Sequence, residues 1–218
     1  MRLGLIGDVH AEHEFLDKAI RFLRDKQVDD IYCVGDVVDG RGCSNTCCDL
    51  LVTEKVKTVR GNHDRWIFEG KDDLTPLPSL SSQSTEFLKN LPVTLRVEAP
   101  FGGVLVCHGY GENDMARLGP DDRGYALQAA VDLHRLIDDK SLRLVINGHS
   151  HKRMVRKFNG LTVANIGTLH HEHQPCFADL DCRNGVLQFY NFGRDGAISA
   201  GDAHKLSHVK NEEVNYFR

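Results

Sequence analysis

The sequence predicts an α/β fold with two packed sheets and helices outside them, and three observations carry the prediction. Through the first two thirds, short apolar runs alternate with segments of helical period, the pattern of βα units. In the last third the runs MVRKF, LTVANI, CFADLDC and VLQFYNF are short and β-rich, with the hairpin signal Asn-Gly at 159–160 and 184–185. Polar residues with ligand chemistry fall just past the carboxyl ends of the predicted strands, where open α/β sheets gather what they bind. The βα units are expected to build most of one sheet and the hairpins a second, largely antiparallel one.

Taken in order, residues 3–6 predict the first strand. Phe15, Leu16, Ala19, Ile20 and Leu23 then recur at helical spacing, so one apolar stripe can lie on a sheet. Residues 31–34 predict the second strand and 56–59 the third. Between them Ser44 is a candidate cap for a helix whose inner face is Cys47, Cys48, Leu51 and Val52. Further strands are expected at 93–97, 104–107 and 144–146, and a helix at 126–137 with Ala126, Ala130, Leu133 and Ile137 on one side. With no repeat or linker to divide it, the chain reads as one domain over 1–218: motifs in 8–151, a β-rich part at 152–192 and a polar tail at 193–218 without a pattern that places it.

Composition excludes several classes of function. At 218 residues, 41% apolar and 27% charged, the chain is of globular type, and its longest apolar runs are far too short to span a bilayer. The first residues enter a strand-like run at once and lack a signal-peptide pattern, so a cytoplasmic location is expected. Seven cysteines, an odd number outside any small secreted framework, are expected to be reduced thiols. A net charge of −4 with a pI near 6.3 argues against a nucleic-acid partner, other than a small nucleotide as substrate.

The strand ends carry GDVH with Asp8 and His10, GDVVDG with Asp36 and Asp39, GNHD at 61–64, HG at 108–109 and GHSH at 148–151. Asp8, His10, Asp36, Asn62, His108, His149 and His151 offer oxygen and imidazole donors, the set that suits Mn²⁺, Fe or Zn²⁺, without the thiolates of a structural zinc site. Seven donors are too many for one ion and suit two. If these loops are extended, residues i and i+2 point the same way, so Asp8 with His10, and His149 with His151, approach a centre together.

This ordered set resembles the calcineurin-like metallophosphoesterase family over roughly 8–151. The resemblance implies a four-layer α-β-β-α sandwich of two mixed sheets and a centre of two divalent ions (Mn, Fe, Ni or Zn). Asp8, His10 and His151 would hold one ion, Asn62, His108 and His149 the other, and Asp36 both. His63 corresponds to the family's substrate-facing acid and Asp64 to the carboxylate that orients it. Metal-dependent hydrolysis of a small phosphate monoester or diester follows, with hydroxide between the ions as nucleophile. The protein-phosphatase pattern Asp-Arg-Gly is replaced by Asp39-Gly40-Arg41-Gly42, so phosphate binding passes to Arg41, Arg60 or Arg65. The alternatives are a serine/threonine-type protein phosphatase and a non-catalytic scaffold, the role of a retromer subunit with this fold.

Three further features have ordinary explanations. Cys43, Cys47 and Cys48 have no distant partner pair, and the last two fit a helix core. His170, His171 and His173 are expected in an exposed polar loop at the pocket rim. The stretch 109–124 is longer than a minimal βα connection, as specificity loops beside active sites often are.

Overall fold

The computed structural model of the chain describes residues 1–69 and 79–214. Two six-stranded sheets form its centre, and both are mixed. The first has the order β11-β10-β9-β1-β2-β3, with β1 (Arg2–Ile6), β2 (Asp30–Cys33), β3 (Lys57–Thr58), β9 (Cys176–Asp181), β10 (Val186–Phe192) and β11 (Ile198–Lys205). The second runs β12-β7-β8-β6-β5-β4, with β4 (Thr94–Ala99), β5 (Gly102–Cys107), β6 (Leu142–Asn147), β7 (Met154–Phe158), β8 (Leu161–Asn165) and β12 (Asn211–Glu212). The late hairpins therefore do not make a sheet of their own. The β7–β8 pair adds to the parallel set β5-β6-β8, while β9 pairs antiparallel with β1 and extends the first sheet.

Alternation along the strands separates the layers. Leu3, Leu5, Val104, Val106, Leu144, Ile146, Ala178 and Leu180 pack between the sheets. Their neighbours face outward: Ile6, Ile31, Cys33 and Phe177 meet helix α1 (His13–Asp25) through Leu16, Ala19, Ile20 and Leu23, and helix α2 (Ser44–Thr53) through Cys47, Cys48 and Leu51. On the other side Leu105, Cys107, Val145 and Val163 pack with Leu133 and Ile137. The predicted sandwich, helices outside two sheets, is thus formed. Phe15 is only partly buried against its core, and Val52 is exposed rather than inward.

Ser44 is the first residue of α2 and not its cap; Cys43 holds that place, without a side-chain cap bond. Asn62 opens helix α3 (Asn62–Glu69), so GNHD is a helix start and not a strand-end loop. Helix α4 (Ser82–Lys89) is capped by Ser81, whose hydroxyl accepts from the Ser84 N–H at 3.1 Å. The helix expected at 126–137 is two, α5 (Tyr125–Gln128) and α6 (Val131–Asp138), and at the break His134 Nε2 meets the Gln128 carbonyl at 3.1 Å. Asn159 and Gly160 both take positive φ (46° and 95°) in the two-residue turn that closes β7 on β8, the conformation Asn-Gly favours.

The unplaced tail supplies two edge strands. β11 pairs with β10, and β12 is fastened by Arg156, whose guanidinium donates to both Glu212 carboxylate oxygens at 2.9 and 2.7 Å. All seven cysteines are free thiols, Cys43 alone being exposed. Among the described residues no helix is long and apolar enough to cross a membrane.

Candidate metal centre

Five chain segments bring their polar residues to one place at the carboxyl ends of β1, β2, β3, β5 and β6. The loops are not extended there. His10, Asp36, Asp39, His149 and His151 all have positive φ, between 47° and 69°, a left-handed backbone that side chains disfavour by about 1–2 kcal/mol per residue. They are half of the ten non-glycine residues in that state among those described, which marks the region as one where packing enforces strain. The loops lock one another: His10 N–H donates to the Asp36 carbonyl at 2.8 Å, and His149 N–H to Asp8 Oδ1 at 3.0 Å. Glycine is required where they touch, since a Cβ on Gly61 would lie 2.1 Å from Asp36 Oδ1 and one on Gly148 2.6 Å from Asp8 Oδ1. The predicted convergence holds, while its reason is loop contact and not the two-residue period of a strand.

The donor atoms form two groups that share one carboxylate. His10, Asp36 and His151 place one ligand atom each within 4.8 Å of one another, and so do Asp36, His108 and His149. Asn62 Oδ1 joins the second group, 2.9 Å from His108 Nε2 and 2.8 Å from His149 Nδ1. Outward nitrogens are tethered: His10 Nδ1–H donates to the Asp39 carbonyl at 3.1 Å and His108 Nδ1–H to the Val34 carbonyl at 2.7 Å. That leaves Nε2 of each facing the centre, the tautomer a metal ligand needs. His10 Nε2 and His151 Nε2 stand 2.9 Å apart, two nitrogens aimed at the same point.

Electrostatics describe a place built for positive charge. Burial, with Asp36 adding to it, pushes the Asp8 carboxyl up to about 7. Burial would also raise Asp36, yet His108, His63 and His10 hold it well below the usual carboxylate range. Burial alone would lower His108, but Asp36 and Asp8 outweigh it and drive the imidazole up to about 10. His149 and His151, desolvated and beside other imidazoles, fall to about 4 and about 3 and keep free lone pairs at neutral pH. Asp8 is fully buried and its Oδ2 has no hydrogen-bond partner. A buried orphan oxygen beside neutral imidazoles and a shared carboxylate is what a divalent cation would satisfy, so the residues fit metal ions.

A sequence profile agrees with this arrangement. The calcineurin-like phosphoesterase superfamily domain matches residues 1–185. The chain belongs to that superfamily. It is 26% identical over 180 residues to serine/threonine-protein phosphatase 1 of Salmonella typhimurium, covering 74% of each chain. Its fold is similar to a metallophosphoesterase from Sphaerobacter thermophilus, with a TM-score of 0.64, 20% identity and coverage of 88% and 87%. It is also similar to Vps29 of Entamoeba histolytica, solved with zinc, with a TM-score of 0.56, 17% identity and coverage of 94% and 99%.

Around this centre the structure corrects two expectations. Asp64 does not orient His63. It is fully buried, with Oδ1 accepting from Val37 N–H at 2.8 Å and Val38 N–H at 3.3 Å, and Oδ2 from Gly61 N–H at 2.9 Å. The last is the reach-back bond of a capping box, from the third residue of α3 to the residue before the helix. His63 Nδ1 instead meets Asp39 Oδ2 at 2.5 Å, and its Nε2 lies 4.0 Å from Asp36 Oδ2. Asp39 is the residue that sequence reasoning left out of the site, although the second carboxylate of GDVVDG was the available signal. Trp66, one turn along α3, holds the His63 ring edge at 4.8 Å between centroids.

Two of the three arginines expected to bind phosphate, Arg41 and Arg65, already have carboxylate partners. Arg65 forks onto Asp114 at 2.7 and 3.0 Å and also pairs with Glu69, which ties α3 to the 109–124 stretch. Arg41 reaches Glu172 at 3.0 Å on the surface. A cavity of about 920 Å³ opens beside His149 and His151 and is lined by Arg117, Lys152 and Arg153, with Asp122 and Glu172 among its acidic residues. His170 and its neighbours do stand at the rim: His173 Nδ1 is 2.8 Å from His151 Nδ1.

Proposed function

We propose that the protein hydrolyses phosphate monoesters or diesters at a centre of two divalent ions, with Asp8, His10 and His151 on one ion, Asn62, His108 and His149 on the other, and Asp36 on both. The observation that carries the reading is the pair of ligand groups sharing Asp36 beside the unpartnered Asp8 Oδ2. Bound ions would supply Lewis acidity, lowering the pKa of an attacking water and offsetting charge on the phosphoryl oxygens.

The chain's own residues do the rest. Asp39 accepts Nδ1–H of His63 and so fixes which nitrogen faces the centre. Nε2 of His63 is then the group that hands a proton to the departing oxygen, a contribution of typically 10²–10⁴-fold where that oxygen leaves as an alkoxide. Asp64 has no part in this transfer; it holds the start of α3, and with it Asn62 and His63, against the 37–38 backbone. Arg117 and Lys152, which line the large cavity, replace Arg41 and Arg65 as the candidates for substrate contact.

Activity on p-nitrophenyl phosphate and bis-p-nitrophenyl phosphate, measured across Mn²⁺, Ni²⁺, Co²⁺, Zn²⁺ and Mg²⁺, tests the reading. Turnover in at least one metal is expected, and the ratio of the two substrates separates monoesterase from diesterase. Absence of turnover on both, in every metal, would refute it in favour of a scaffold. Dephosphorylation of a phosphoserine peptide at a higher kcat/KM than either ester would favour a protein phosphatase.

A further inference from the structure

The turn after β8 carries a second concentration of metal-binding groups that the central site does not use. Leu169 N–H donates to the Asp8 carbonyl at 3.0 Å and His170 N–H to Thr168 Oγ1 at 2.9 Å, so the turn is fixed to the β1 loop. A single 3₁₀ turn, His171–His173, follows, closed by His173 N–H on the His170 carbonyl at 2.9 Å. Opposite stands Glu12, half-buried ahead of α1, with Oε1 in contact with His171 Nδ1 and accepting the His171 N–H at 3.2 Å. The rings of His170 and His171 are stacked, 5.1 Å between centroids and 10° from parallel, which sets their nitrogens side by side.

Glu12, His170 and His171 thereby place one ligand atom each within 4.8 Å of one another, the same spacing found in the two central groups. We infer that these three residues form a third cation site, for a Zn²⁺-, Ni²⁺- or Co²⁺-like ion, on the rim of the catalytic centre. One carboxylate and two imidazoles are a donor set that such borderline ions prefer and that Mg²⁺ and Ca²⁺ do not. Pre-organisation favours it, because the backbone bonds already hold the turn against Glu12 and little ordering remains to be done. At His170 the local contact is weak, Nδ1 accepting the Glu172 N–H at 3.3 Å, while the Glu12–His171 contact would give way to bonds from both groups to the ion. Position distinguishes the site from the centre. The His170 ring lies 5.6 Å from that of His10, yet none of the three residues belongs to the seven central donors.

The test is metal stoichiometry, read without reference to turnover. Protein stripped with a chelator is titrated with Ni²⁺ or Zn²⁺ by calorimetry, alongside Glu12→Gln, His171→Ala and Asp36→Asn. Three equivalents are expected for the wild type, and two for Glu12→Gln and His171→Ala, each with unchanged melting temperature and unchanged p-nitrophenyl phosphate hydrolysis. Asp36→Asn should lose central equivalents and keep the rim ion, so failure of the central assignment leaves this one measurable. Two equivalents in the wild type, or three in both rim variants, would overturn the inference. So would loss of the rim ion in Asp36→Asn, because the ion would then depend on the centre.

Discussion

Neutralising Asp39 and Asp64 one at a time separates proton handling from scaffold support. In Asp64→Asn the amide oxygen can serve either the Val37 and Val38 N–H groups or the Gly61 N–H, and the amide NH₂ must then face the other donor. One buried backbone N–H loses its acceptor, at about 2 kcal/mol within a ~1–3 kcal/mol range. For a chain of this size that lowers Tm by about 4–8 °C. Asp39 and His63 are different: their side chains are 32% and 21% exposed, so Asp39→Asn should cost under about 1 kcal/mol of stability. It should instead lose about 10- to 100-fold in kcat/KM on alkyl phosphate esters, because His63 is no longer held as a donor, and far less on p-nitrophenyl esters, whose leaving group needs no proton. Thermal melts and kcat/KM over a leaving-group series measure both. His63→Gln should show the Asp39→Asn pattern more strongly. Leaving-group dependence in Asp64→Asn with an unchanged Tm, or its absence in Asp39→Asn, would refute the assignment.

Three other outcomes follow from the structure. Asp36→Asn removes the carboxylate common to both ligand groups and should abolish turnover and lower metal content, measured by elemental analysis; wild-type turnover with two bound ions would refute the sharing. His149→Ala and His151→Ala should each lower metal occupancy while circular dichroism stays native, since both side chains lie outside the sheets; unfolding with unchanged stoichiometry would make them structural. Arg156, by hydrogen bond and charge, holds Glu212 below its ordinary value of 4.5. The folded state therefore binds that proton less readily than the unfolded one. This contribution is complete above pH 4.5 and lost as pH falls through the folded value. Protease cleavage after β11 should rise on acidification in wild type, and Glu212→Gln should show the raised rate already at pH 7.

Much of this was readable in the sequence where burial writes a period. Leu3 and Leu5 alternate with Gly4 and Ile6, and Leu16, Ala19, Ile20 and Leu23 mark one helical face, so strand, helix and layer were all predicted. The glycine-flanked polar residues after those strands were predicted too, and they are the ones that converge. β11 escaped because an edge strand has few inward positions: only Ile198, Gly201, His204 and their like are even partly covered, and no apolar alternation is needed. The division of the late hairpins between two sheets was illegible for another reason. A hairpin's sequence specifies its own turn and register, while the strand it joins is set by which exposed edge is free, here β1 for β9 and β6 for β8.

The mistaken partner of His63 has a geometric origin. His63 and Asp64 are adjacent in a segment that resembles an extended strand end, and adjacency suggests contact. They are the second and third residues of α3, and successive residues on a helix diverge by about 100° about its axis, so neighbours in sequence do not face each other. The helix start turns Asp64 inward to the backbone N–H groups that need an acceptor and turns His63 outward to the centre, where the positive φ of Asp39 (69°) brings a carboxylate from another loop. Contact between 39 and 63 is thus a product of two loops meeting across the first sheet. A capping-box reading of Gly-Asn-His-Asp, with the acidic residue three places after the glycine, would have assigned Asp64 to the helix and left GDVVDG's second carboxylate as the partner.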